Sequence, residues 1–119
     1  MREPIRDKER LEHMLQAINY IDEGLQLHTP EQIQNDHIVY FGFVKQLEII
    51  GEATYKLTKE FRAAHPNTPW NKIEGMRHVL VHGYYAINFT QLFRVITNDL
   101  PVLRPQIEAY IQELSSQEQ

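Results

Sequence analysis

Cysteine is absent from this sequence of 119 residues. That excludes a disulfide scaffold, a cysteine-ligated zinc site and a thiol nucleophile, and it fits a reducing compartment. No run of about 18 or more apolar residues occurs, so no membrane span is expected. The stretch from Met1 to Arg10 is highly charged and lacks the apolar centre of a signal peptide, which makes the cytoplasm the expected location. An excess of positive charge is missing as well. The formal net charge is −4, so a general coating of nucleic acid is excluded, and any action on RNA requires positive potential gathered in one place. No repeat, linker or low-complexity segment divides the chain. One domain spanning residues 1–119 is expected, with a polar tail from Ser115 to Gln119 that frays.

Alternating strand patterns are lacking too, and every segment reads as helix. From Arg6 to about Gln26 the apolar residues Leu11, Met14, Leu15, Ile18, Ile21 and Leu25 recur at the three-and-four spacing of one buried face. Thr29-Pro30-Glu31-Gln32 has the form of a capping box with proline at the first helical position. A long helix is expected from Asn35 to Ala64. Its segment Ile38 to Val44 is apolar on nearly all sides, which implies one face for the core and another for a partner subunit. Gly42 and Gly51 each weaken that helix by about 1 kcal/mol relative to alanine, and close approach of a neighbouring backbone is the expected compensation. After the break at His65 to Pro69, Thr68 is expected to cap a helix carrying Trp70, Ile73, Met76 and Leu80 inward as far as Gly83. Asn88 with Gln91 starts another, and Asp99-Leu100-Pro101 marks a kink or restart before a last stripe ending at Leu114. The expected fold is all-α, an antiparallel bundle of four main helices with one or two short extra ones.

Reactive side chains are densest between Arg77 and Tyr85, where one arginine stands with His78, His82, Tyr84 and Tyr85. Arg77 offers a permanent charge and a planar fork of donors suited to phosphate oxygens. Histidine exchanges protons near neutral pH, and a last-turn position near Gly83 would favour its charged form through the helix dipole. Together they form the minimum set for RNA cleavage without a metal. The 2′-hydroxyl attacks phosphorus, histidine moves protons, and arginine steadies the charge building on the phosphoryl oxygens. On one straight helix the two positions are about 140° apart. They converge only where the helix ends between them or where a second subunit supplies a matching pair.

Arg77, four residues, His82, one residue and Tyr84 together resemble the signature of HepT-like HEPN proteins. The surrounding blocks are similar too: Glu48 to Ala53 upstream, Trp70 to Met76 leading in, and Asn98 to Pro101 behind. The resemblance runs from about Arg6 to Leu114. It implies a homodimer with a composite cleft at the two-fold axis, and a metal-independent endoribonuclease with no cofactor. It further implies the toxin of a HepT/MntA-type toxin–antitoxin pair. The partner is then a small nucleotidyltransferase antitoxin, MntA-like, that attaches AMP to the motif tyrosine, Tyr84. His78 stands where the family usually carries asparagine or aspartate.

Other readings attach to the same residues. His78 and His82 have the spacing of two zinc ligands on a helix, but a third ligand would have to come from far away, from His65 or His13. His78 reads as a supporting residue, and Tyr85 as packing. Glu48 and Glu52 lie one turn apart on an apolar helix, so at least one should meet a buried positive partner. Glu52 would orient Arg77 or His82, or form a structural ion pair. The alternative function is a noncatalytic helical adaptor that binds a nucleotidyltransferase or a nucleotide.

Overall fold

The computed structural model describes residues 2–82 and 89–118, with side chains described at 6–77 and 89–118. The order is α1 (Arg2–Leu27), α2 (Pro30–Asn35), α3 (His37–Tyr55), α4 (Lys59–Ala64), α5 (Trp70–His82), α6 (Phe89–Arg94), a π-helical turn (Val95–Asp99) and α7 (Leu100–Gln117). No strand occurs among the described residues, and the fold is an all-α bundle built on the long helices α1, α3, α5 and α7. None of its described helices is long and apolar enough to cross a membrane.

Helix α1 packs against both α3 and α7. Leu11, Met14, Ala17, Ile18 and Ile21 are buried, as their spacing predicts. The Thr54 hydroxyl of α3 lies 3.7 Å from the Met14 sulfur, and the Phe43 ring packs on Gly24. Asp7, at the other end of α1, meets Thr58 just beyond α3. Contacts that rise along one helix and fall along the other make α1 and α3 antiparallel. Lys8 with Glu118 and Asp22 with Arg104 pair α1 and α7 in the same sense. α7 therefore continues as helix past Ser115, where a fraying tail is expected, and Glu118 is tied back to α1.

Thr29 forms the predicted capping box. Its hydroxyl accepts the Gln32 N–H, and the Gln32 side chain accepts the Thr29 N–H at 2.9 Å. Asp36 then caps α3 by accepting the Ile38 and Val39 N–H groups.

Three expectations are corrected. The helix expected from Asn35 to Ala64 is three pieces: the end of α2, then α3 and α4, with the last two parted at Lys56 to Thr58. Thr58 starts α4 by accepting the Phe61 N–H. The buried Asp7 carboxylate fixes that start by accepting both the Thr58 N–H at 2.8 Å and its hydroxyl at 2.7 Å. The break is thus enforced from 51 residues away.

Thr68 does not spend its hydroxyl on a cap. It is buried, and it donates to the Gln106 side-chain amide oxygen at 2.8 Å and bonds the Tyr110 hydroxyl at 2.6 Å, docking the start of α5 onto α7. Around this contact, Phe61, His65, Trp70 and Tyr110 pack ring against ring, and the Trp70 indole N–H donates to the His65 carbonyl. The glycine expectation holds at Gly51 alone. A Cβ there would lie 2.7 Å from the Arg77 nitrogen, whereas a Cβ at Gly42 would meet nothing within 4 Å.

The kink or restart expected near Pro101 is the π-helical turn, in which the Leu100 N–H donates to the Val95 carbonyl. Proline lacks the N–H that a regular ladder needs, and a widened turn just before it absorbs the mismatch. The capping role expected of Asn88 lies outside the described residues. Beyond it, Leu92, Ile96, Leu100, Leu103, Ile107 and Leu114 are buried in one core with the α1 and α3 stripes.

Asp7→Ala removes the shared acceptor for Thr58 and should destabilise the protein by about 2 kcal/mol. Urea denaturation checks this, and a change under about 0.5 kcal/mol, the size of an ordinary surface effect, would contradict it.

Candidate functional site

Helices α3 and α5 touch where α3 has no side chain. Gly51 is buried, and a Cβ there would also come within 2.9 Å of the Arg77 Cβ. Arg77 is thereby set against the two side chains that follow on the same region of α3. Its guanidinium Nη1 lies 3.4 Å from a Glu52 carboxylate oxygen. Its central carbon stands 3.9 Å from the centre of the Tyr55 ring. A cation over an aromatic face and beside a carboxylate is held in orientation from two directions. Both α3 partners are partly open to water, with the Glu52 side chain 41% exposed and Tyr55 51% exposed. The ion pair is therefore an exchangeable contact and not a locked one.

Glu52 has a second neighbour. Its other carboxylate oxygen is 3.8 Å from the Lys56 ammonium. Glu48, one turn earlier, pairs with Lys45 at 2.9 Å. Of these two acids, expected to include at least one with a buried positive partner, Glu52 is the one that reaches a cation on another helix, the partly buried Arg77. Tyr55 is the contact that the sequence reading missed. Its position three residues after Glu52, near the end of an apolar helix, was the available signal.

His78 and His82 both lie on α5, but their side chains lie outside the described residues, and so do Gly83, Tyr84 and Tyr85 altogether. The backbone is informative nonetheless. α5 is continuous from Trp70 through His82, so the helix does not end between Arg77 and His82. The two positions are therefore about 140° apart around one axis. The route to convergence by an end of the helix between the two positions is thus absent.

The distant histidines are placed as follows. His65 is engaged with the Phe61 carbonyl and the Glu113 carboxylate. His13 lies on the exposed side of α1. Among the described residues no three His, Asp or Glu side chains gather closely enough to hold a metal ion. A cleft of about 340 Å³ opens between α1 and α3; Glu52 and Lys56 help to line it, and Glu52 joins it to Arg77.

The sequence matches the family described as Ribonuclease HepT-like over residues 14–110. Among individual proteins, it is similar to one from Caldanaerobacter subterraneus subsp. tengcongensis named "Putative RNase TTE0752". The two are 37% identical over 103 residues, or 87% of this chain and 92% of that protein. It is similar also to "Probable ribonuclease HepT" of Thermococcus cleftensis, 32% identical over 101 residues, or 85% of this chain and 92% of the relative. No solved structure matches.

The contact between α3 and α5 gives a paired prediction. Gly51→Ala should cost about 1–3 kcal/mol, because the backbone of Arg77 has to give way. That exceeds the roughly 1 kcal/mol gained from helix propensity. Gly42→Ala, with open space around it, should instead raise stability by up to about 1 kcal/mol. Thermal or urea unfolding of both variants decides the matter, and equal effects would refute the close-approach argument.

Proposed function

The chain belongs to the HepT-like ribonuclease family, and from that premise we propose that it is a metal-independent endoribonuclease that works as a homodimer. The observation that carries this reading is the placement of Arg77. It is packed backbone-to-backbone on Gly51 and aligned by Tyr55 and by Glu52, a residue that itself lines a cleft.

A guanidinium so placed can exchange the Glu52 carboxylate for a phosphodiester oxygen at little cost, since the pair is partly hydrated. The ribose 2′-hydroxyl attacks the adjacent phosphorus, and the 5′-oxygen leaves. One imidazole takes the hydroxyl proton, and one supplies a proton to the leaving oxygen. Arg77 balances the charge on the non-bridging oxygens. His82 is the residue assigned to proton transfer, with His78 in support. Because α5 is continuous, His82 of one protomer serves Arg77 of the other. A second copy also has apolar surface to cover, since Ile38 is 84% exposed and Phe41 49% exposed on α3.

We further propose that the protein is the toxin of a toxin–antitoxin pair, silenced by an MntA-like nucleotidyltransferase that attaches AMP to Tyr84. The added phosphate would lie two residues beyond His82 and could occupy Arg77 in place of RNA.

Incubation with RNA in EDTA should leave 2′,3′-cyclic phosphate and 5′-hydroxyl ends, and RNA lacking the 2′-hydroxyl should survive. Arg77→Ala should lower kcat by about 10²–10³-fold, and His82→Ala by about 10²–10⁴-fold. Neither should lose helicity. Co-expressing the two variants tests the shared site directly. Mixed dimers keep one intact Arg77–His82 pair across the two-fold axis and should recover part of the activity, whereas a site within one chain recovers none. A strict need for a divalent ion would reject the mechanism.

Tyr84→Phe should remain toxic in cells that also express the nucleotidyltransferase, and mass spectrometry of the parent should find AMP on Tyr84. An adduct confined to Tyr85 would reassign the modified residue.

A further inference from the structure

The cleft between α1 and α3 has a charge pattern that Arg77 does not explain. Arg10 and His13 face it from α1, Lys45, Glu48 and Glu52 from α3, and Lys56 from the residue that caps the end of α3. Basic side chains outnumber acidic ones there, in a chain whose formal net charge is −4. The acids are already committed. Glu48 is paired with Lys45, and Glu52 is shared by Lys56 and Arg77.

Arg10 is left over. It is partly buried, its Nε is sealed from water with no hydrogen-bond acceptor, and it makes no ion pair among the described residues. Arg10 thus lines the cleft without an anion from the described residues, and its charge is available to pair with an anion that enters there. His13, one turn further along α1, extends the same wall.

The cleft is also continuous with the site. Glu52 touches Arg77 with one carboxylate oxygen and the cleft residue Lys56 with the other. Lys45, Glu48, Glu52 and Lys56 follow one another along one face of α3, over about 16 Å of helix. That is a track, longer than a single phosphate needs.

We infer that this cleft binds the phosphodiester backbone of the RNA strand flanking the cut, with Arg10 as its principal phosphate ligand. This rests on the ribonuclease reading for the identity of the strand. Its test, however, uses binding alone. The probe is a 2′-O-methyl oligoribonucleotide, which has no free 2′-hydroxyl and cannot be cut by the proposed route. Affinity is measured over a range of salt concentrations for the full-length parent and its variants.

Arg10→Gln should weaken binding about tenfold, as expected for a lost charged hydrogen bond. It should also lower the slope of log affinity against log salt by about 0.7, the value for one phosphate contact on a single strand. Lys45→Gln, at an exposed position on the same wall, should weaken binding severalfold and guards against misfolding of the Arg10 variant. Lys59→Gln removes the same charge from α4, outside the cleft, and should bind like the parent. Equal weakening by Lys59→Gln and Arg10→Gln would mean that net charge alone matters and would overturn the inference. So would parent-like binding by Arg10→Gln, or an Arg10 effect seen with AMP but not with the oligonucleotide. Failure of the parent to cut unmodified RNA would count against the ribonuclease reading and leave this binding result to stand separately.

Discussion

Where α3 crosses α5, Gly51 lets the two backbones come so close that a single methyl group would overlap the Arg77 nitrogen. The position of the guanidinium follows from that contact. Glu52 and Tyr55 lie one and four residues beyond the glycine, so the surface that admits α5 continues directly into the two side chains that hold Arg77. The cost is intrinsic helix stability, since glycine is a poor helix former. Burial of Phe43, Leu47, Ile50 and Ala53 around it offsets that cost through packing.

Local patterns were legible in the sequence, and long-range ones were not. The α1 stripe and the Thr29 capping box depend on neighbours three or four residues away, and both form as the spacing implies. The break before α4 depends on Asp7, a residue on another helix, and Leu57 at the break is a buried apolar residue like those of a continuing helix. Thr68 has the composition of a cap and is instead recruited by Gln106 and Tyr110 of α7. In each case a tertiary hydrogen bond overrides a reasonable local rule. Gly42 and Gly51 are indistinguishable in composition, and only the path of α5 separates them.

The candidate site divides along the same line. Arg77 and His82 stood out as chemistry-bearing residues at a recognisable spacing, and an acid on an apolar helix marked Glu52 for a positive partner without choosing Arg77. Tyr55 under the guanidinium and Arg10 across the cleft did not stand out, because their significance lies in which helices meet. The continuity of α5 through His82 sharpened the geometric problem raised by the spacing, since the helix does not end between Arg77 and His82.

The carboxylates of Glu48 and Glu52 give the cleft an internal set of counter-charges. Nucleic acid approaches with its own condensed cations, and those cations leave only as protein charge replaces them. Lys45, Lys56 and Arg77 arrive already half-neutralised by their neighbours, so a strand settling there gives up fewer small ions than the number of basic contacts suggests. Binding becomes an exchange of one anion for another. The protein can then grip RNA over several contacts and still release it under ionic conditions in which a purely cationic groove would hold on.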